Sequence, residues 1–349
     1  MTTLTRTRRF SATCCLAAVL TGCGTSGTRV VGLPTPVQPA LAKGAGGTYP
    51  DPIYQKWIER YLEANDHKMR IEYAATGSQR GIELVTSHRV DYGATDWPSD
   101  QDTDLVQFPT VAGAVVIIYR IDALKTDLRL APETLGRILH GDIKRWNHPA
   151  ILKDNPEANL PASEIVLVHR DDGSGTTRII CELAQAYNTS WQTGCDFKVT
   201  WPADSTGATG SAELANAVYG TNNTIGYVEY TFALQNKLQH ALIRNKSGQF
   251  IRADSDSIAA AIPEFLPTTN ARELARSILN TKVPSAYPIS ALTWMLVPPN
   301  ATERARRALK PFFQWTMTPE AQAYVELLGY VQLTASLRDW EQAALSRIP

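Results

Sequence analysis

Three short segments set small residues and hydroxyls just ahead of helix-like stretches: Gly44-Ala45-Gly46-Gly47-Thr48-Tyr49-Pro50, Thr76-Gly77-Ser78-Gln79-Arg80-Gly81 and Asp171-Asp172-Gly173-Ser174-Gly175-Thr176-Thr177. The start of a helix leaves its first N–H groups unpaired and carries the positive end of the macrodipole, about half an elementary charge, which suits it to an anion. Thr48, Ser78, Ser174 and Thr176 add hydroxyl donors, and the glycines allow close approach of the backbone. Taken singly, each turn is equally the signature of a plain helix N-cap. Arg170 stands immediately before the third turn, where its guanidinium can fork onto the same anion, and Asp172 can hold that guanidinium in place. The plainer alternative is a surface Arg and Asp in a loop. Asp96 ends the strand-like Tyr92-Gly93-Ala94-Thr95, the position where ligands collect in open α/β sheets, although it also fits as the cap of the next turn. A carboxylate facing an anion has a chemical use if the anion carries a proton. Phosphate does at neutral pH; sulfate does not and is repelled.

Other chemistries are excluded by spacing. There is no G-x-x-x-x-G-K-S/T, the first turn lacks the third glycine of G-x-G-x-x-G, and Gly173-Ser174-Gly175 is not G-x-S-x-G. A phosphatase-like enzyme using Ser174 or Thr176 as nucleophile needs a nearby base or metal, and His169 alone is a poor candidate. His67, His88, His140, His148, His169 and His240 show no metal-ligand spacing, so neither a metal nor a cofactor is expected. Lys plus Arg balance Asp plus Glu at 34 each without a long run of one sign, which argues against a nucleic-acid partner and requires any anion site to be local.

The elements that must position these residues alternate strand-like and helix-like from Gly44 onward, as in an α/β protein, and 349 residues with 44% hydrophobic content supply cores for two domains. Ile53, Trp57, Ile58, Tyr61 and Leu62 share one face of a helix spanning Pro50–Leu62. Ile179, Ile180, Leu183, Ala184 and Tyr187 mark another helix after Gly175. The unbroken apolar runs Val115–Tyr119, Ile165–Val168 and Leu292–Val297 read as buried parallel strands.

At the N-terminus, Arg6, Arg8 and Arg9 precede a short apolar core, Ala12–Leu20, and then Leu20-Thr21-Gly22-Cys23. That order is a signal peptide, too short to span a bilayer permanently, and its end resembles a bacterial lipobox in which Cys23 is acylated. An ordinary signal peptide with an incidental cysteine is the alternative. Residues 1–23 are thus the leader and 24–43 a tether. Cys181 and Cys195 remain in the mature chain, as a bridge in an oxidising compartment or as two buried thiols.

The first turn, Val90–Asp96, Gln107-Phe108-Pro109-Thr110, Arg170–Thr176 and Ile225-Gly226-Tyr227-Val228-Glu229-Tyr230 together resemble, in order and spacing, the phosphate-binding protein family of the high-affinity phosphate ABC transporters. The resemblance runs from Gly44 to at least Leu238, with weaker echoes at Tyr287-Pro288-Ile289-Ser290 and in the last helices. It implies a two-lobed α/β periplasmic-binding-protein fold of type II with two crossing segments, closing by a hinge on dehydrated phosphate. Lobe one would be 44–111 with 288–349, and lobe two 112–287, each with its own twisted sheet. It places the ligand contacts on Thr48, the amide of Tyr49, Ser78, Asp96, Arg170, Ser174, Gly175 and Thr176, with Asp172 as partner of Arg170. Tyr49 stands where the family usually has Phe, Gln79-Arg80 replace a small pair and Trp97 replaces a small residue, so Arg80 and Trp97 bear on the rim of the site, and thereby on affinity and not on ligand identity. The implied role is phosphate capture and delivery to a membrane permease by a monomeric, lipid-anchored exported protein, not an enzyme. Binding of another oxyanion is the rival.

Overall fold

The computed structural model describes residues 40–65, 69–99, 104–187, 191, 194–263 and 270–348. The leader, Cys23 and tether residues 24–39 lie outside them. The strands are β1 (Ala40–Gly46), β2 (Met69–Ala75), β3 (Tyr92–Thr95), β4 (Val106–Arg120), β5 (Arg129–Leu130), β6 (Val166–Arg170), β7 (Thr206–Ala208), β8 (Thr224–Glu229), β9 (Leu242–Arg244), β10 (Phe250–Ile251) and β11 (Ser290–Val297). The helices are α1 (Asp51–Ala64), α2 (Ser78–Thr86), α3 (Pro132–His140), α4 (Pro149–Asp154), α5 (Gly175–Tyr187), α6 (Gly210–Gly220), α7 (Tyr230–Gln235), α8 (Ser255–Ala259), α9 (Ala271–Ile278), α10 (Glu303–Thr316), α11 (Pro319–Leu327) and α12 (Ala335–Ser346). Among the described residues no helix is long and apolar enough to cross a membrane.

Two expectations need correction. Strand β1 starts at Ala40 and pairs in register with Met69 of β2, so Ala40–Lys43 belong to the sheet and not to the tether. The stretch 24–43 as a whole reads as a tether because it is rich in Gly, Thr, Pro and Val, but Ala42 is fully buried in the sheet. The apolar runs in β4 and β11 are not parallel strands: both pair antiparallel, with each other and with β8 and β3 respectively. Burial on both faces removes polar alternation whatever the direction of the neighbour. Of the three runs, β6 alone is parallel to its neighbours, β7 and β8.

The main strand order is β2-β1-β3-β11-β4-β8-β6-β7, with a small sheet β10-β9-β5 beside it. The two lobes therefore do not have separate sheets, because β4 is one long strand serving both. Its first half pairs with β11 and its second with β8. Two apolar cores flank this order. Val106, Phe108 and Val111 of β4 pack with α1 and α10, whereas Ala112 onward packs with Ile179, Ile225 and Tyr227. Strand β11 changes core between Trp294 and Met295, beside a bulge at Thr293/Trp294. Val331 and Leu333, near the C-terminus, pack with the second core, and Val331 bridges Ala112.

Because β11 and β4 run opposite to the strands on either side, the carboxyl ends of β1, β2, β3, β6 and β8 face one another across the middle of the order. Each ends in a turn bearing polar residues. Helix α1 starts where Pro50 and Pro52 favour the first turn, and buries Ile53, Tyr54, Trp57, Ile58 and Tyr61 against the first core. Helix α2 starts after Gly77, whose φ of 88° is a conformation that favours glycine. Helix α5 carries Cys181, which forms a disulfide with Cys195 at a Cα–Cα distance of 5.5 Å.

Gly113, in the middle of β4, is a second position where a side chain does not fit. A Cβ there would lie 1.4 Å from the Tyr49 hydroxyl oxygen. Gly113→Ala is therefore expected to destabilise the protein by about 3 kcal/mol, as overpacking in a tight core does. Urea denaturation should show this as a lower midpoint with an unchanged slope.

Candidate anion-binding site

The first turn is held from behind. The Tyr73 hydroxyl donates to the Gly47 carbonyl at 2.7 Å, and the Tyr330 hydroxyl to the Tyr49 carbonyl at 2.5 Å. Tyr49 is buried edge-on against Tyr330, so its ring anchors the turn. The Thr48 hydroxyl donates to Glu229 Oε1 at 2.7 Å across the cleft. In the second turn, the Thr76 and Gly77 amides both bond the Gly46 carbonyl at 2.9 Å, which places Ser78 at the first position of α2.

Asp96 follows β3 and is 3% exposed. Its Oδ2 accepts from Ser78 Oγ at 3.2 Å and its Oδ1 from Thr293 Oγ1 at 3.3 Å. Burial and then the charge of Glu229 push its pKa up to about 7, against the hydrogen bonds of Ser78 and Thr293 and the charge of Arg170. Near neutrality this carboxyl sits between its two protonation states.

Arg170 closes β6 with its guanidinium out of water. Nε and Nη2 donate to the two oxygens of Asp172, each at 2.5 Å, and Nη1 reaches Ser211 Oγ at 3.4 Å. Burial alone would raise the Asp172 carboxyl, but the hydrogen bonds and charge of Arg170 outweigh it and hold the pKa below the ordinary value. Ser174 Oγ and Thr176 Oγ1 are 2.6 Å apart at the start of α5, whose leading amides have no preceding helical carbonyl to bond. A Cβ on Gly175 would lie 2.5 Å from both Asp96 Oδ2 and Ser78 Oγ. The third turn thus abuts the second turn and Asp96.

The structure brings Ser78, Asp96, Gly175 and the Ser174–Thr176 pair together, with Thr48 and Arg170 joined to one further residue, Glu229. Sequence reasoning missed Glu229. It is 2% exposed, and it accepts from Thr48 through Oε1 and from Ser211 Oγ through Oε2 at 2.5 Å. Its position at the end of β8 is the same as that of Asp96 on β3, and that was the available signal. An acid just ahead of a helix reads equally as an N-cap. Thr293 and Ser211 were also missed, because nothing in the sequence shows which strand or helix they neighbour.

Arg80 and Trp97, which bear on the rim, are both engaged by a neighbour. Arg80 pairs with Glu83 at 3.0 Å on the exposed side of α2. Trp97 is buried, with the Arg178 guanidinium 5.7 Å above its ring. His169 stacks on Trp201 and engages the Arg170 carbonyl through Nδ1 at 3.0 Å. Among the described residues no group of His, Cys, Asp and Glu could hold a metal ion.

Crossing strands, paired cores and an anion-shaped cluster where the lobes meet define a two-lobed substrate-binding protein of the periplasmic type. The sequence matches the PBP superfamily domain over residues 33–320. It is 34% identical over 298 residues to the phosphate-binding protein PstS of Pasteurella multocida, covering 83% of this chain and 85% of that one. It is 32% identical over 343 residues to the phosphate-binding protein PstS of Xylella fastidiosa, covering 93% of each. The fold is similar to the crystal structure of a phosphate binding protein from Stenotrophomonas maltophilia, with a TM-score of 0.64 at 20% identity over 88% of this chain and 93% of that one. The chain belongs to the PstS family of substrate-binding proteins, which are not enzymes.

Proposed function

We propose that the protein binds inorganic phosphate in the interlobe cleft and delivers it to the membrane permease of a phosphate ABC transporter. One observation carries this reading most directly: a buried guanidinium and a buried, proton-accepting carboxyl serve the same cluster of hydroxyls and helix-start amides. The guanidinium supplies charge and the amides supply donors, while ionised Asp96 accepts the hydrogen bond of an O–H that only a protonated anion carries. Thr48, the Tyr49 amide, Ser78, Ser174, Gly175 and Thr176 complete the proposed contacts. The lobes, 40–111 with 288–349 and 112–287, would rotate about the two crossing strands to desolvate the ligand.

Calorimetric titration with phosphate, sulfate and arsenate tests the reading. Tight binding of phosphate and arsenate with no sulfate binding is expected at pH 8; sulfate binding as tight as phosphate would defeat it.

The anchor is part of the same proposal. The protein is taken to act as an exported, lipid-anchored monomer whose mature chain begins at acylated Cys23. Cys23→Ala is expected to release the protein from membranes or to block its maturation. Mass spectrometry of the membrane-bound protein should find an acylated cysteine at its N-terminus, and an unmodified N-terminus elsewhere would refute the anchor.

A further inference from the structure

We infer that the segment 194–199, pinned to α5 by the Cys181–Cys195 disulfide, is a latch that retains ligand by seating Phe197 against α2 of the opposite lobe. The inference rests on the cleft-binding reading above, and adds Cys181, Cys195 and Phe197, which that reading does not use.

Three ties join this segment to the helix that begins the third turn. The disulfide links Cys195 to the middle of α5. Arg178, one turn earlier on α5, donates from Nη1 to the Cys195 carbonyl at 2.5 Å. The Phe197 carbonyl accepts from the Ser174 amide at 2.9 Å, immediately ahead of α5. The segment is therefore one body with the phosphate-facing turn of the second lobe.

Its side chain reaches the other lobe. Phe197 packs on the core of its own lobe and at the same time on the small cluster of Ile82 and Val85 of α2 with Leu296 of β11, all from the lobe that carries Ser78 and Asp96. A cavity of about 330 Å³ lies between α2 and this segment, lined by Gln79, Ile82 and Phe197 among others, and Phe197 makes an apolar contact at its edge. Close by, the Gln79 amide bonds the Gly173 carbonyl at 3.2 Å, the polar counterpart of the same contact.

A contact made between lobes exists only when the cleft is shut. It deepens the closed state without altering the open form that first meets the ligand, so it slows release and leaves capture unchanged. Partial burial of an aromatic ring is enough to change a closing equilibrium by about tenfold. The disulfide contributes by keeping the segment from drifting off α5 when the lobes part.

The test is stopped-flow measurement of phosphate association and release on the full-length mature protein, beside calorimetry and thermal unfolding without ligand. Phe197→Ala keeps the disulfide and the backbone bond to Ser174. It is expected to release phosphate about tenfold faster and raise Kd to match, with the association rate close to wild type and at most a small drop in ligand-free melting temperature. Cys181→Ala/Cys195→Ala is expected to change release in the same direction and to lower the melting temperature as well. If both variants release phosphate within twofold of wild type, or if the affinity loss lies in association, the latch is overturned while the cleft reading stands. If wild-type protein binds no phosphate, the cleft reading fails and the latch fails with it.

Discussion

Arg170→Ala is expected to weaken phosphate binding by more than about a hundredfold, equivalent to roughly 2.7 kcal/mol. The guanidinium is 2% exposed and spends one edge, Nε and Nη2, on Asp172. With Nη1 also reaching Ser211 Oγ at 3.4 Å, one hydrogen on Nη1 and the second on Nη2 are left for an anion in the cleft. A phosphate shut in by lobe closure has lost its water, so removing the charge that compensates it typically costs several kcal/mol. Arg170→Lys should recover only part of the loss, since an ammonium keeps the charge but not the planar fork. Asp172→Ala should fall between wild type and Arg170→Ala, because Asp172 orients the arginine without touching the ligand. Titrating each folded variant with phosphate decides the point. An Arg170→Ala affinity within threefold of wild type would remove this residue from the site.

Asp96→Asn is expected to separate affinity from selectivity. The amide lacks the carboxylate's capacity to accept the phosphate proton, but the substitution also removes a negative charge beside an anion, so phosphate affinity should change by less than about tenfold. Sulfate gains more, because a like-charge contact worth several kcal/mol is gone, and the phosphate-over-sulfate ratio should fall by about a hundredfold. The wild-type protein should show a related pH effect. With the Asp96 pKa pushed up to about 7, the carboxyl becomes neutral as the pH falls through that value, and sulfate should begin to bind. The Asn variant should lack this dependence. Stability follows the same group in a definite direction. Between the ordinary 3.8 and about 7, the unfolded chain has released this proton while the folded protein keeps it, so the group's contribution declines as pH rises across that window. The full effect is of the order of 4 kcal/mol, at about 1.4 kcal/mol per pH unit. Ligand-free Asp96→Asn should therefore melt higher than wild type at pH 8 and near wild type at pH 4. Equal melting temperatures at pH 8 would show that Asp96 is not held against its charge.

The residues of the proposed site stand out in the sequence because their signals are local. A helix start announces itself through Gly77-Ser78 or Ser174-Gly175-Thr176, and Arg170 with Asp172 lies within the span of one turn. Helix α1 was equally plain, since Ile53, Trp57, Ile58 and Tyr61 recur at the helical period, which depends on the chain's own geometry alone. What the sequence could not decide was every relation set by which strand lies beside which. The runs in β4 and β11 look parallel because burial on both faces erases alternation, and burial carries no information on a neighbour's direction. Ala40–Lys43 is four residues at the end of a Gly-, Thr- and Pro-rich stretch, and only pairing with β2 marks it as a strand. Glu229 stands 181 residues from Thr48, whose hydroxyl it receives, and Thr293 stands 197 from Asp96. No spacing rule spans such distances. Tertiary folding decides them, because it is the antiparallel crossing of β4 and β11 that turns five strand ends toward one cleft and forces two carboxylates, one guanidinium and their hydroxyls into the same water-poor space.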